Sequence, residues 1–122
     1  MLLLDSSAIL EIINDTEKSK GIIPKLKGEL FTTPFSIYEI FLGIKQKEFI
    51  LLEKLLNNIG IMNFDIGSSL VSVQVMNDLK RKGERINLVD IFIASIAISN
   101  DLILVSLDND FKKITNLKTL IF

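Results

Sequence analysis

Short uninterrupted apolar runs alternate along this chain with longer stretches in which apolar residues recur every three or four positions. The runs Leu2–Leu4, Leu30–Thr33, Ile61–Phe64, Leu102–Val105 and Leu117–Ile121 read as strands buried on both faces. Helical spacing covers Ala8–Ile13, a segment from Phe35, Lys47–Asn58 and Ser68–Lys82, the last stopped by Gly83. Leu88–Ser99 is apolar nearly all round and predicts a central, buried helix. Asp110–Ile114 predicts one more short helix. Ser36 with Glu39 matches a capping box, and Phe35 with Ile40 the accompanying hydrophobic staple. Strands alternating with helices predict a single α/β domain over 1–122. Its architecture would be three-layered, with a mainly parallel central sheet of about five strands flanked by helices. Such sheets bind ligands beyond the carboxyl ends of their strands, near a topological switch.

Composition narrows the chemistry more than the fold. The chain has neither cysteine nor histidine. Disulfides, thiolate sites and cysteine nucleophiles are excluded, as are the commonest general base and the commonest transition-metal ligand. Hydrolysis must then run on carboxylates, hydroxyls, lysines or a bound metal, and an all-carboxylate site suits Mg²⁺ or Mn²⁺. Hydrophobic residues form 48% of the chain, and the mean hydropathy of +0.42 is high for its length, which points to apolar surface covered by a partner or a second copy. The longest apolar stretch, Leu88–Ile98, is too short to span a membrane, and the N-terminus lacks a basic segment before its apolar run, so a cytoplasmic location is expected. A net charge of −1 leaves room only for a local basic patch.

Four acids stand where a site would form: Asp5, Glu39, Asp90 and Asp108. Asp5 and Asp108 follow predicted strands, so a parallel sheet places them on one edge. Each has a structural alternative. Asp5 fits an N-cap for the helix near Ser6, Glu39 the capping box, Asp90 the third position after an Asn87 cap, and Asp108 the cap of the next short helix. Asp110 competes with Asp108. Asp90 is the most telling, because a carboxylate among Ile91, Ile93, Ala94 and Ala97 is costly unless paired or metal-bound. Two carboxylates about 5 Å apart repel by roughly 3 kcal/mol at an effective dielectric near 20. A cluster of them either raises its own pKa values or binds a cation.

The segments LLDSSAIL, PFSIYEIFLGI and RKGERINLVDIFIASIAISNDLILVSLDNDF, together almost the whole chain, resemble the PIN domain, and in particular the VapC-type toxins of toxin–antitoxin pairs. The resemblance implies a ribonuclease in which Asp5, Glu39, Asp90 and Asp108 bind Mg²⁺ or Mn²⁺ and support phosphodiester hydrolysis. Asp5 and Asp90 would hold the principal ion, and Glu39 and Asp108 would complete the site. Ser6 fits the hydroxyl residue usual after the first acid. Ser7 stands where the family often has asparagine, and Ser106-Leu107 where it has threonine and a basic residue. An RNA substrate, an antitoxin partner whose tail covers the acids, and a homodimer are also implied. Lys47–Asn58 and Ser68–Lys82 are candidate contact surfaces. Lys80, Arg81, Lys82, Arg85, Lys45, Lys47, Lys112 and Lys113 could steer RNA, although basic residues at helix ends are commonly solvated surface.

Two other phosphate-handling classes fail on residues. A haloacid-dehalogenase-like phosphatase needs an aspartate where Ser7 stands, and a receiver domain needs paired acids after the first strand and a lysine near Ser106. The remaining alternatives are a PIN-like binding module without catalysis and a housekeeping RNA-processing nuclease.

Overall fold

The computed structural model describes residues 1–122. Five strands, β1 (Leu2–Leu4), β2 (Leu30–Thr32), β3 (Gly60–Ile61), β4 (Ile103–Ser106) and β5 (Thr119–Ile121), form one wholly parallel sheet in the order β3-β2-β1-β4-β5. From central β1 the chain builds outward through β2 and β3, then returns to the other side of β1 for β4 and β5. The reversal puts the topological switch between β1 and β4. Gly60 lies opposite Phe31 in register, and a β-carbon there would stand 2.6 Å from the phenyl ring, so a larger residue would force that ring to move.

Helices cover both faces, as the strand pattern requires. α1 (Ser6–Ile13), α2 (Glu17–Ile22), α3 (Pro34–Gly43) and α4 (Phe49–Leu56) bury Ile9, Ile22, Ile40 and Leu52 against Leu2, Leu4 and Val105. On the other face, α5 (Ile66–Lys82) and α6 (Leu88–Ser99) bury Val75, Leu79, Ile91 and Ile96 against Leu3 and Leu104. β1 thus divides its three leucines between two cores, all of them buried. α6 has the predicted bounds and carries six buried residues, and α5 ends at Gly83, whose φ of 69° is the left-handed cap.

Several boundaries differ from expectation for local reasons. α2 is not foreseen by the pattern. Thr16 caps it, its hydroxyl accepting from the Ser19 amide at 3.2 Å, and only Ser19 and Ile22 turn inward, too few to show helical spacing. The Lys47–Asn58 helix is shorter, with a 3-10 turn at Gln46–Glu48 preceding α4. The third strand is Gly60–Ile61 rather than Ile61–Phe64: the Met62 amide donates to the Thr32 carbonyl at 2.9 Å, pairing ends there, and the Met62 and Phe64 side chains pack against the core that includes Ile91 and Leu3. Asn109–Lys113 is a 3-10 segment where a short helix was expected.

The capping box at Ser36 is not formed. α3 begins three residues earlier than a Ser36 cap would place it, with Pro34 at its first position, where the missing N–H costs nothing. Thr33 is the cap, its Oγ1 accepting from the Ser36 amide at 3.2 Å. Phe35 therefore lies inside the helix and not before it, which removes the staple. Its ring instead meets Phe64 and Phe92, at centroid distances of 6.1 and 5.8 Å. Glu39, released from any capping role, sits in mid-helix.

Candidate active site

β1 delivers Asp5 to the carboxyl edge of the sheet at the switch point. There it is buried, 5% exposed, and it caps α1 as the sequence allowed. Its Oδ1 accepts from the Ala8 amide at 3.0 Å and the Ser7 hydroxyl at 2.7 Å, and its Oδ2 accepts from the Ser106 hydroxyl. Three of about four lone-pair directions of the carboxylate are then used, leaving acceptor capacity toward the open edge. Burial nevertheless pushes its pKa up, against the lowering effect of these donors, and Asp108 adds to the rise.

Ser7 and Ser106 bind the two central strand ends together. Their hydroxyls lie 3.3 Å apart, the Leu107 amide donates to Ser7 Oγ at 3.0 Å, and the Asp108 amide donates to Ser106 Oγ at 3.0 Å. Asp108 is thereby oriented by the group that holds Asp5. It caps the 3-10 segment, its Oδ1 accepting from the Asp110 amide at 2.9 Å. Capping engages one oxygen of each aspartate, so the structural role of each leaves its other oxygen outside the cap.

Glu39 reaches the same edge from α3. Ser6 Oγ donates to its Oε1 at 3.4 Å, and its pKa is raised by desolvation and by Asp5. Asp90 comes from α6, whose cap is Asn87, the Oδ1 of which accepts from the Val89 amide at 2.9 Å. Half-buried, Asp90 has its pKa raised from 3.8 to about 6, first by desolvation and then by Asp108, Glu39, Asp5 and Asp110. No hydrogen bond or cation offsets that rise.

All four sequence candidates therefore share one electrostatic neighbourhood, drawn from β1, α3, α6 and the turn after β4. None of the four takes part in any of the six ion pairs in the protein. Asp110 differs: Lys113 Nζ lies 2.9 Å from its Oδ1, which separates the two competing aspartates. Sequence reasoning missed the part played by Ser7 and Ser106 as the donors that hold Asp5. The available signal was a hydroxyl residue ending β4, in register with the strand that carries the first acid. The donor set is all oxygen, negative and unneutralised, which fits a hard divalent cation. Its side chains do not, as they stand, close into a group of three at ligand spacing. The chemistry of the set fits the ion, and the closing of the ligands around it is not displayed.

The chain matches the PIN domain over residues 2–117. No curated protein matches it. Its fold is similar to that of VapBC2 from Rickettsia felis, bound there to a DNA fragment from their promoter. The TM-score is 0.86 at 22% identity, covering 99% of this chain and 98% of that one. It is also similar to DNA-bound VapBC from Salmonella typhimurium, with a TM-score of 0.82 at 20% identity over 99% and 98%. For Mycobacterium tuberculosis VapC20, a sarcin-ricin loop cleaving toxin, the TM-score is 0.71 at 11% identity over 97% and 99%. At such identities these likenesses speak for the fold. The match along nearly the whole sequence, on a parallel sheet that gathers its acids at the switch point, makes this chain a member of the PIN domain family.

Proposed function

We propose that this protein is a metal-dependent endoribonuclease and the toxin of a toxin–antitoxin pair, with Asp5, Glu39, Asp90 and Asp108 as its catalytic and metal-holding residues. The observation that carries the reading is the convergence of four carboxylates without a compensating cation, felt most strongly at Asp90. Such an arrangement costs stability and is retained where it serves a site. The toxin assignment is supported by the antitoxin complexes among proteins of the same fold.

Mg²⁺ or Mn²⁺ would be held by Asp5 and Asp90, with Glu39 and Asp108 completing the set. When bound, such an ion supplies neutralisation of the carboxylates and stabilisation of charge developing on a scissile phosphate. The chain's own residues prepare the place. Ser7, Ser106 and the Ala8 amide hold the Asp5 carboxylate in one orientation. Ser6 steers Glu39 Oε1, and the Asn109–Lys113 turn fixes Asp108. Asp90, whose carboxyl pKa is pushed up to about 6 by burial and by the neighbouring acids, makes no hydrogen bond within the protein, so its carboxylate is open to a ligand.

The protein exposes large apolar side chains in two patches: Tyr38, Phe41, Leu42, Phe49 and Ile50 on α3 and α4, and Ile66, Leu70 and Val73 on α5. These patches would accommodate an antitoxin segment and a second copy of the chain. The deciding experiment is cleavage of a broad RNA pool with Mg²⁺ or Mn²⁺ by wild type and by Asp90→Asn. Cleavage by wild type alone supports the reading. Equal cleavage by both removes the proposed site, and no cleavage by a folded wild type leaves a binding module.

A further inference from the structure

The basic residues around α5 separate into two groups. Arg81 and Lys82 are engaged with Asp78, at 3.1 and 3.2 Å, and Lys82 also donates to Thr115 and the Lys113 carbonyl. Lys80 and Arg85 are exposed, make no ion pair, and border a groove of about 570 Å³ between the end of α5 and the start of α6. Glu84 and Ile91, the residue after Asp90, line the same groove. Asp90 and Ile91 both lie in the first turn of α6, so one helix start contributes to the acidic cluster and to the groove wall.

Lys113 stands at the junction. Its Nζ lies 2.9 Å from Asp110 Oδ1 and 3.7 Å from Glu84 Oε2, so one side chain touches an acid of the cluster's edge and an acid of the groove's wall. The 3-10 geometry of Asn109–Lys113 stacks positions three apart and fixes Lys113 over Asp110. Asp110 is itself among the charges that act on Asp90. The two acids raise the lysine's pKa and keep it cationic. An ammonium has three donors, and the Glu84 contact is long, so at least one donor is available to an incoming anion. An RNA strand approaching four carboxylates meets repulsion, and Lys113, although shared between Asp110 and Glu84, lowers the negative charge at their rim.

We propose that Lys113, positioned by Asp110 and Glu84, binds an RNA phosphate beside the acidic cluster and leads the strand into the groove flanked by Lys80 and Arg85. This rests on the ribonuclease reading for its substrate. Asp110 is then a positioning residue for Lys113 and not a fifth metal ligand.

The test is binding of a fluorescent mixed-sequence single-stranded oligoribonucleotide, by anisotropy over a range of salt, in an Asp90→Asn background that spares the RNA. Lys113→Met is expected to weaken binding about tenfold and to lower the slope of log affinity against log salt by about 0.7, the value of one phosphate contact on a single strand. Lys113→Arg should restore most of both. Lys80→Met with Arg85→Met should flatten the slope further, whereas Lys20→Met, a distant paired lysine on α2, should leave it unchanged. A merely structural Lys113 would lower the melting temperature without altering the salt slope, and that result overturns the proposal. Absence of any RNA binding overturns it too, even where wild type cleaves. If binding depends on Lys113 while wild type fails to cleave, the strand path stands and the nuclease reading falls.

Discussion

The Ser106 hydroxyl donates to Asp5 Oδ2 across 101 residues of sequence, joining the last residue of β4 to the first residue after β1. Both groups are buried, Ser106 completely. Because the Asp108 amide donates to the same Ser106 oxygen, a single hydroxyl sets the relative position of two of the four acids. Sheet register makes this possible: Leu4 pairs with Val105, so the next residues on each strand leave the sheet together.

Ser106→Ala should therefore act on stability and on the site together. It leaves the Asp108 amide without its acceptor and strips one donor from a buried carboxylate, a loss of about 1–3 kcal/mol. Since Ser106 lowers the Asp5 pKa, its removal raises that pKa further. The acid limb of the cleavage profile should then move to higher pH. Urea denaturation and a pH–rate profile read the two effects, and an unmoved acid limb would show that Asp5 ionisation does not govern activity.

Without added metal, the protein should be more stable at mildly acid pH than at neutrality. Asp90 has a folded pKa of about 6 against 3.8 ordinarily, so between these values the native state binds more protons than the unfolded chain. Its contribution is complete below about 3.8 and is lost as pH rises through about 6. After allowance for solvent screening at a half-buried carboxylate, the change is about 1–2 kcal/mol. Asp5 and Glu39, also raised, act in the same direction. Denaturation in a chelator from pH 4 to pH 7.5 checks this, and Asp90→Asn should flatten the dependence while raising stability at neutral pH.

Divalent cation should reverse that penalty. At a concentration about 100 times its dissociation constant, Mn²⁺ binding only the native state adds about 2.7 kcal/mol, a melting shift of several degrees. The shift should vanish with chelator and be largely lost in Asp90→Asn. Equal melting temperatures with and without Mn²⁺ for wild type would argue against a metal site in these acids.

Legibility from sequence followed the range of the interactions. The α/β class, the parallel sheet and α6 could be read because consecutive apolar residues report burial directly. α2 escaped because Ser19 and Ile22 alone are too sparse a stripe. β3 was displaced because pairing with β2 and the Phe35–Phe64–Phe92 cluster compete for one segment, a choice made only in three dimensions. For the site, strand-end position located Asp5 and Asp108, and unexplained polarity located Asp90. Which of Asp108 and Asp110 lies free depended on Lys113, and the seryl donors to Asp5 depended on the β1–β4 register. Neither of these is a local property.

Glu39 offers the sharpest separation of a structural from a functional acid. Had it completed a capping box with Ser36, its replacement would cost helix stability. The cap is Thr33 instead, and Glu39 meets only Ser6 Oγ, at 3.4 Å. Glu39→Gln should consequently shift the unfolding free energy by no more than about 0.5 kcal/mol, and upward, since it removes an exposed carboxylate whose pKa is raised by partial desolvation and by Asp5. Thr33→Ala, in contrast, should cost about 1–2 kcal/mol. On the proposed function Glu39→Gln should still lower RNA cleavage by about a hundredfold, as expected for loss of a group that acts on the reacting centre. A variant that is both as stable and as active as wild type would remove Glu39 from the site and leave three acids to carry it.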